Sequence, residues 1–226
     1  MLSAAVSAAL MAWVIGESGV LAVQPSVGQY TVMGQKIQGP TPETRRAADI
    51  RTAALVYGVF GLFLGSAIGL AGRHSVSGPL TAVAAAAIGA VFGAVAGALP
   101  SLTALPVYFG WIGDSLGDLL PSLAMHSLIW TPLGAAAGLS FALARRDPRG
   151  IARAVLGGAA GALLGTAVYE LLGAVALSLS GTVNPIAKDW PARLLTFLLL
   201  AIPAASGVLL AGQPLRRHTP AVDAGR

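Results

Sequence analysis

The chain of 226 residues contains no cysteine. Disulfides, thiolate catalysis and Cys-ligated metals are thereby excluded. Charge is almost as scarce: Asp, Glu, Lys and Arg make up 10% of the residues, against roughly 25% in an ordinary soluble domain. That leaves too little polar surface to keep a globule of this length in water. Histidine occurs three times, too thinly and too far from acids at ligand spacing to predict a metal site. Walker A, HExxH and GxGxxG patterns are missing as well, so neither a metal nor a cofactor is expected.

What the chain does have is apolar residues. Hydrophobic residues make up 55% of it, and its mean hydropathy is +0.76. They fall into six runs: Leu2–Val23, Ile50–Ala71, Leu80–Leu99, Leu119–Ala144, Ile151–Leu179 and Leu194–Ala211. A helix needs roughly 20 residues to cross the hydrocarbon of a bilayer. Backbone in hydrocarbon must satisfy its own hydrogen bonds, so these runs are helices rather than open strands. The expected fold is all-α: a single integral membrane helical bundle over residues 1–226, with six transmembrane helices and the lipid bilayer around it. Cleavage of residues 1–23 as a signal would leave five. No Lys or Arg precedes that first run and Glu17 lies within it, which favours a retained helix. Residues 24–49 read as a polar loop, 50–211 as a five-helix core and 212–226 as a polar tail.

The loop ends in a helix-start signal. Thr41 can cap, Pro42 suits the first helical position and Glu43 meets the positive end of the dipole. The second helix should therefore begin outside the lipid, with Arg45, Arg46, Asp49 and Arg51 at the interface. The stretch Pro106–Trp111 is too short to span, and its aromatic rings suit the headgroup level. The net charge of +5 comes from basic residues at the ends of apolar runs, where lipid head groups are the expected partner and nucleic acid is not. One side of the bundle would carry Arg73, Arg145, Arg146, Arg149, Arg153, Arg216, Arg217 and Arg226. The other would carry Lys36, Arg45, Arg46, Arg51, Lys188 and Arg193. The larger number marks the cytoplasmic side and puts both termini there, as in an inner-membrane protein.

The most regular pattern is glycine at every fourth position: Gly61, Gly65 and Gly69; Gly89, Gly93 and Gly97; Gly134 and Gly138; Gly157, Gly161 and Gly165. Residues four apart share a helix face, and bare faces let backbones approach closely in lipid. Such glycine zippers predict tight packing within the bundle, or an interface to a second copy or another membrane protein. Gly61 and Gly65 recur 73 positions later as Gly134 and Gly138, and Gly89 and Gly93 recur 72 later as Gly161 and Gly165. These offsets allow a tandem repeat of a two-helix unit.

Three ionisable residues fall inside expected spans: Glu17, His126 and Glu170. Such groups are costly in lipid and default to functional candidates. Counted from the centres of their helices, His126 lies about 9 Å and Glu170 about 7.5 Å toward the same side. Each also extends a packing face: His126, Trp130, Gly134 and Gly138 on one helix, and Gly158, Ala162, Thr166 and Glu170 on another. His126 and Glu170 are predicted to meet, with Tyr57 and Tyr169 nearby. They would act either as a buried structural pair or as a proton or cation relay.

The segment Gly16-Glu17-Ser18-Gly19 resembles the GxSG motif of rhomboid-type intramembrane serine proteases. The likeness covers four residues. The Ser stands on the first helix beside a carboxylate, without the family's oxyanion partners, so a non-enzyme is expected and an intramembrane hydrolase ranks last. The leading expectation is a small transporter or channel component built on the His126–Glu170 pair. A non-catalytic scaffold subunit is the alternative.

Overall fold

A computed structural model describes residues 1–74, 81–111, 119–175 and 184–212. The elements in order are α1 (Leu2–Glu17), β1 (Val27–Val32), β2 (Gln35–Pro40), α2 (Pro42–His74), α3 (Ala82–Trp111), α4 (Leu119–Arg145), α5 (Ile151–Val175) and α6 (Trp190–Ala211). From α2 to α6, five helices are long and apolar enough to cross a membrane. The chain is thus an all-α helical bundle of the membrane type. The end of the expected fifth run and the polar tail beyond Gly212 lie outside the described residues.

α1 is shorter than its apolar run suggests. Its 16 residues give about 24 Å at 1.5 Å per residue, less than the roughly 30 Å hydrocarbon core. The helix stops because Ser18 Oγ donates to Ile15 O and Gly19 turns to φ +74°. Ala5, Ala8, Ala9 and Ala12 form its buried face, which packs on α2 and α6.

The expected loop 24–49 folds in part as an antiparallel hairpin, with Val27 opposite Pro40 and Val32 opposite Gln35. Met33 (φ +48°) and Gly34 (φ +81°) form its two-residue turn, where hairpin twist demands positive φ at both positions. α2 then starts as its sequence predicts: Thr41 Oγ1 accepts a hydrogen bond from Thr44 N at 3.2 Å. Its 33 residues span about 50 Å, so its first turns stand outside the lipid.

α3 departs from expectation. It does not stop at Leu99 but continues through Pro100 and Pro106 to Trp111. A membrane helix tolerates proline where neighbouring hydroxyls and helices compensate the freed backbone. Pro100 and Pro106 free the carbonyls of Ala96 and Leu102. Beside them Ser101 Oγ donates to Gly97 O and Thr103 Oγ1 to Leu99 O and Pro100 O, which ties hydroxyls to the helix around the two breaks.

α2 and α4 form the centre, each with 56% of its apolar stretch buried, whereas α3 has 22% and lies at the periphery. The glycine faces are consumed inside the chain. A methyl group at Gly61 or Gly65 would overlap the carbonyls of Gly93 and Gly89, and the same holds in reverse. One at Gly69 would strike Ala85 O, and one at Gly97 would strike Tyr57 O. On α4, Gly134 faces Gly158 and Gly138 faces Ala154. Gly157, Gly161 and Gly165 face α6, at Gly207, Pro203 and Leu199. The contacts follow the sequence offsets in part: Gly61, Gly65, Gly134 and Gly138 all face the following helix, whereas Gly89 and Gly93 face the helix before them and Gly161 and Gly165 the helix after.

Candidate functional site

The seam between α4 and α5 builds the site. Gly138 against Ala154 and Gly134 against Gly158 bring the two backbones together. Two turns along α4 from Gly134 the same face carries His126, and just over three turns along α5 from Gly158 that face carries Glu170. The small residues set a register in which Ser122 stands opposite Glu170, and the His126 side chain reaches the same carboxylate from one turn further along α4. His126 Nδ1 lies 2.5 Å from Glu170 Oε1. Ser122, one turn before His126 on the same face, donates from Oγ to that oxygen at 2.9 Å. The pair is closed off from the surface, with His126 1% and Glu170 2% exposed.

Aromatic rings enclose it. Tyr169 stands edge-on to His126 with ring centroids 5.3 Å apart, and Trp130 lies 5.3 Å from both rings. Trp130 Nε1 donates to Tyr57 Oη at 3.3 Å, and Tyr57 Oη donates to the Pro185 carbonyl at 2.8 Å. Both expected tyrosines are therefore at the site. Tyr169 touches the histidine, and Tyr57 joins it through Trp130. Within the cluster, Glu170 Oε2 is buried without a hydrogen-bond partner. The Thr196 hydroxyl is close enough to interact with Tyr169, but its proton goes to Ala192 O.

Glu17 is not part of this cluster. It ends α1 and forms a two-pronged ion pair with Arg193, Nε to Oε1 at 2.5 Å and Nη2 to Oε2 at 2.8 Å. The error in placing it came from reading the apolar run as helix to Val23. The Arg193 guanidinium holds its carboxyl below the ordinary glutamate range, against the opposing pull of partial burial. Ser18 of the rhomboid-like motif is exposed and bonded to its own helix, while His126 is engaged by Glu170.

Two features escaped sequence reasoning. A cavity of about 610 Å³ opens beside the start of α2, the end of α3 and the loop before α6, and Pro185 is in its wall. A second void of about 10 Å³ is lined by Tyr57, Thr196, Ile186, Ala187 and Arg193, among others. The last three of these also line the large cavity. The void is about the size of one water molecule, and it stands between the cavity and the buried cluster. Ser122 could have been found, being one helical turn from His126. No local signal marks the cavity. Among the described residues no group of three His, Asp or Glu side chains could hold a metal.

The fold and site together define a multi-pass helical membrane protein with a buried His–Glu pair between two of its long apolar helices. No protein-family model matches the chain, and neither do any curated protein or solved structure.

Proposed function

We propose that the protein is a small proton-coupled transporter or channel component in which His126 and Glu170 hold and pass the proton. Glu170 Oε2 carries this reading. It is buried and unpartnered, and leaving a polar atom so costs about 1–3 kcal/mol. A pair that served only to pin α4 to α5 would gain by satisfying both oxygens. A carboxylate that must receive a proton from elsewhere needs one oxygen left open. Moving one proton along the 2.5 Å line between Nδ1 and Oε1 interconverts a charged pair and a neutral pair with little rearrangement. On the orientation favoured by the count of basic residues, the C-terminal end of α6 is cytoplasmic and the cavity opens outward.

Against a scaffold role stands the use of the glycine faces. They were the feature expected to hold partners, and they are spent on contacts within the chain. The test is proton flux into liposomes carrying the purified protein, driven by a potential or a pH gradient. Wild type is expected to conduct or exchange protons. Glu170→Gln is expected to abolish this while still inserting and purifying normally. Wild-type liposomes no leakier than empty ones, or a Glu170→Gln variant with full flux, would remove the relay.

A further inference from the structure

The large cavity has a chemistry of its own, separate from the buried pair. Four cationic side chains line it (Arg45, Arg46, Lys188 and Arg193) against one carboxylate, Asp49. Two of the four are already matched. Arg193 is paired with Glu17, and Lys188 lies within electrostatic reach of Asp49. Arg45 and Arg46 have no ion pair among the described residues, and both are exposed to the cavity mouth. The uncompensated charge is therefore two guanidinium groups on consecutive residues of α2. The remaining wall is largely apolar, with Phe109 and Ile186 in it. The volume is in the usual range for a small-molecule site, roughly 300–1,000 Å³.

The orientation adds weight. Basic residues are disfavoured on the non-cytoplasmic side. Yet four of the six there, Arg45, Arg46, Lys188 and Arg193, converge on one cavity. Basic residues gathered at one cavity point to a ligand of opposite charge.

We infer that this cavity binds an organic phosphate monoester, its phosphate on Arg45 and Arg46 and its apolar part against Phe109 and Ile186. A phosphate monoester carries about −1.5 to −2 charge at neutral pH, which matches two free guanidinium groups. Arginine's planar fork favours phosphate oxygens in pairs. A lipid head group such as phosphatidic acid and a soluble ester share this chemistry.

The experiment is calorimetric titration of the detergent-solubilised full chain with dihexanoyl phosphatidic acid, phenyl phosphate and, as control, dihexanoyl phosphatidylcholine. At least one monoester is expected to bind, and the phosphatidylcholine is not. Binding of phosphatidic acid alone assigns the site to lipid, of phenyl phosphate alone to a soluble ester, and of both to the phosphate itself. The double variant Arg45→Gln/Arg46→Gln should weaken binding by roughly tenfold or more, since charge-assisted bonds are lost. Arg45→Lys/Arg46→Lys, which keeps the charge and loses the fork, should fall between. The inference is overturned if neither monoester binds wild type better than phosphatidylcholine does. Undiminished binding by the Gln variant would overturn it too. Should that variant fail to fold, the wild-type comparison alone decides.

Discussion

Gly93→Ala is the sharpest perturbation of this bundle. A methyl at position 93 would lie far inside contact distance of the Gly61 carbonyl, while ordinary contact begins near 3.4 Å. The obstacle is backbone on a central helix, so no side chain can swing aside. α2 and α3 would have to part, and parting opens the neighbouring contacts of Gly65 with Gly89 and of Gly97 with Tyr57. Overpacking of this kind costs about 1–3 kcal/mol, and the upper end applies because several contacts open together. Gly110→Ala is the control. It also lies on α3, yet nothing is within 4 Å of its added methyl. By helix propensity it should stabilise by up to about 1 kcal/mol. Unfolding in mixed micelles, titrated with a denaturing detergent and followed by circular dichroism, separates the two. Gly93→Ala should unfold well before wild type, and Gly110→Ala no earlier. If the two variants unfolded together, close backbone approach would not be what holds α3 in place.

Two further perturbations address the polar contacts. Tyr57→Phe leaves Trp130 Nε1 without its acceptor and Pro185 O without its donor. A buried group stranded in this way costs about 1–3 kcal/mol, so the unfolding midpoint should drop clearly, and an unchanged midpoint would count against the network. Glu17 gives a pH dependence. Its carboxyl is held below the ordinary value of 4.5 by Arg193, so the pair's contribution is complete above that value. It is lost as the pH falls through the lowered pKa, when the carboxyl takes up its proton. The melting temperature of wild type should therefore exceed that of Glu17→Gln at pH 7, and the gap should close in acid. A gap independent of pH would show that charge is not its source.

Much of the bundle was legible because helix geometry is countable. α4 begins at Leu119, α5 at Ile151 and α6 ends at Ala211, all where the apolar runs do. His126 and Glu170 could be matched because both depth and face follow from position along a regular helix. The structure departs from the sequence pattern at interruptions of the apolar runs. The apolar run ends at Leu99 and Pro106–Trp111 is too short to span by itself, yet α3 continues through both prolines to Trp111. Glu17 was assigned to the interior because Ser18 and Gly19 were not read as a terminus. The hairpin at 27–40 presents no apolar face: Val27, Met33 and Ile37 are all exposed. Its strands therefore had no burial pattern to betray them. The cavity draws on the hairpin flank, α2, α3 and the loop before α6, and no periodicity in one segment can announce a meeting of four.

The small void decides whether cavity and buried pair belong to one device. Water held there needs two or more polar partners, and Tyr57 Oη, which donates to Pro185 and accepts from Trp130, keeps one lone pair for it. Thr196 Oγ1 gives its proton to Ala192 O at 2.9 Å, which leaves its lone pairs to hold such a water and to face Tyr169. Thr196→Val keeps the outline of the side chain and removes this partner, so the void should dry. If protons reach Glu170 Oε2 by way of the void and Tyr169, proton flux in liposomes should fall roughly tenfold, equivalent to about 1.4 kcal/mol on the barrier. Thr196 is not in the wall of the large cavity, so binding of phenyl phosphate or phosphatidic acid there should be untouched. A Thr196→Val variant with wild-type flux would mean that the proton enters by another way. A variant that lost ligand binding and flux together would mean that the substitution had disturbed the loop before α6 rather than a path through it.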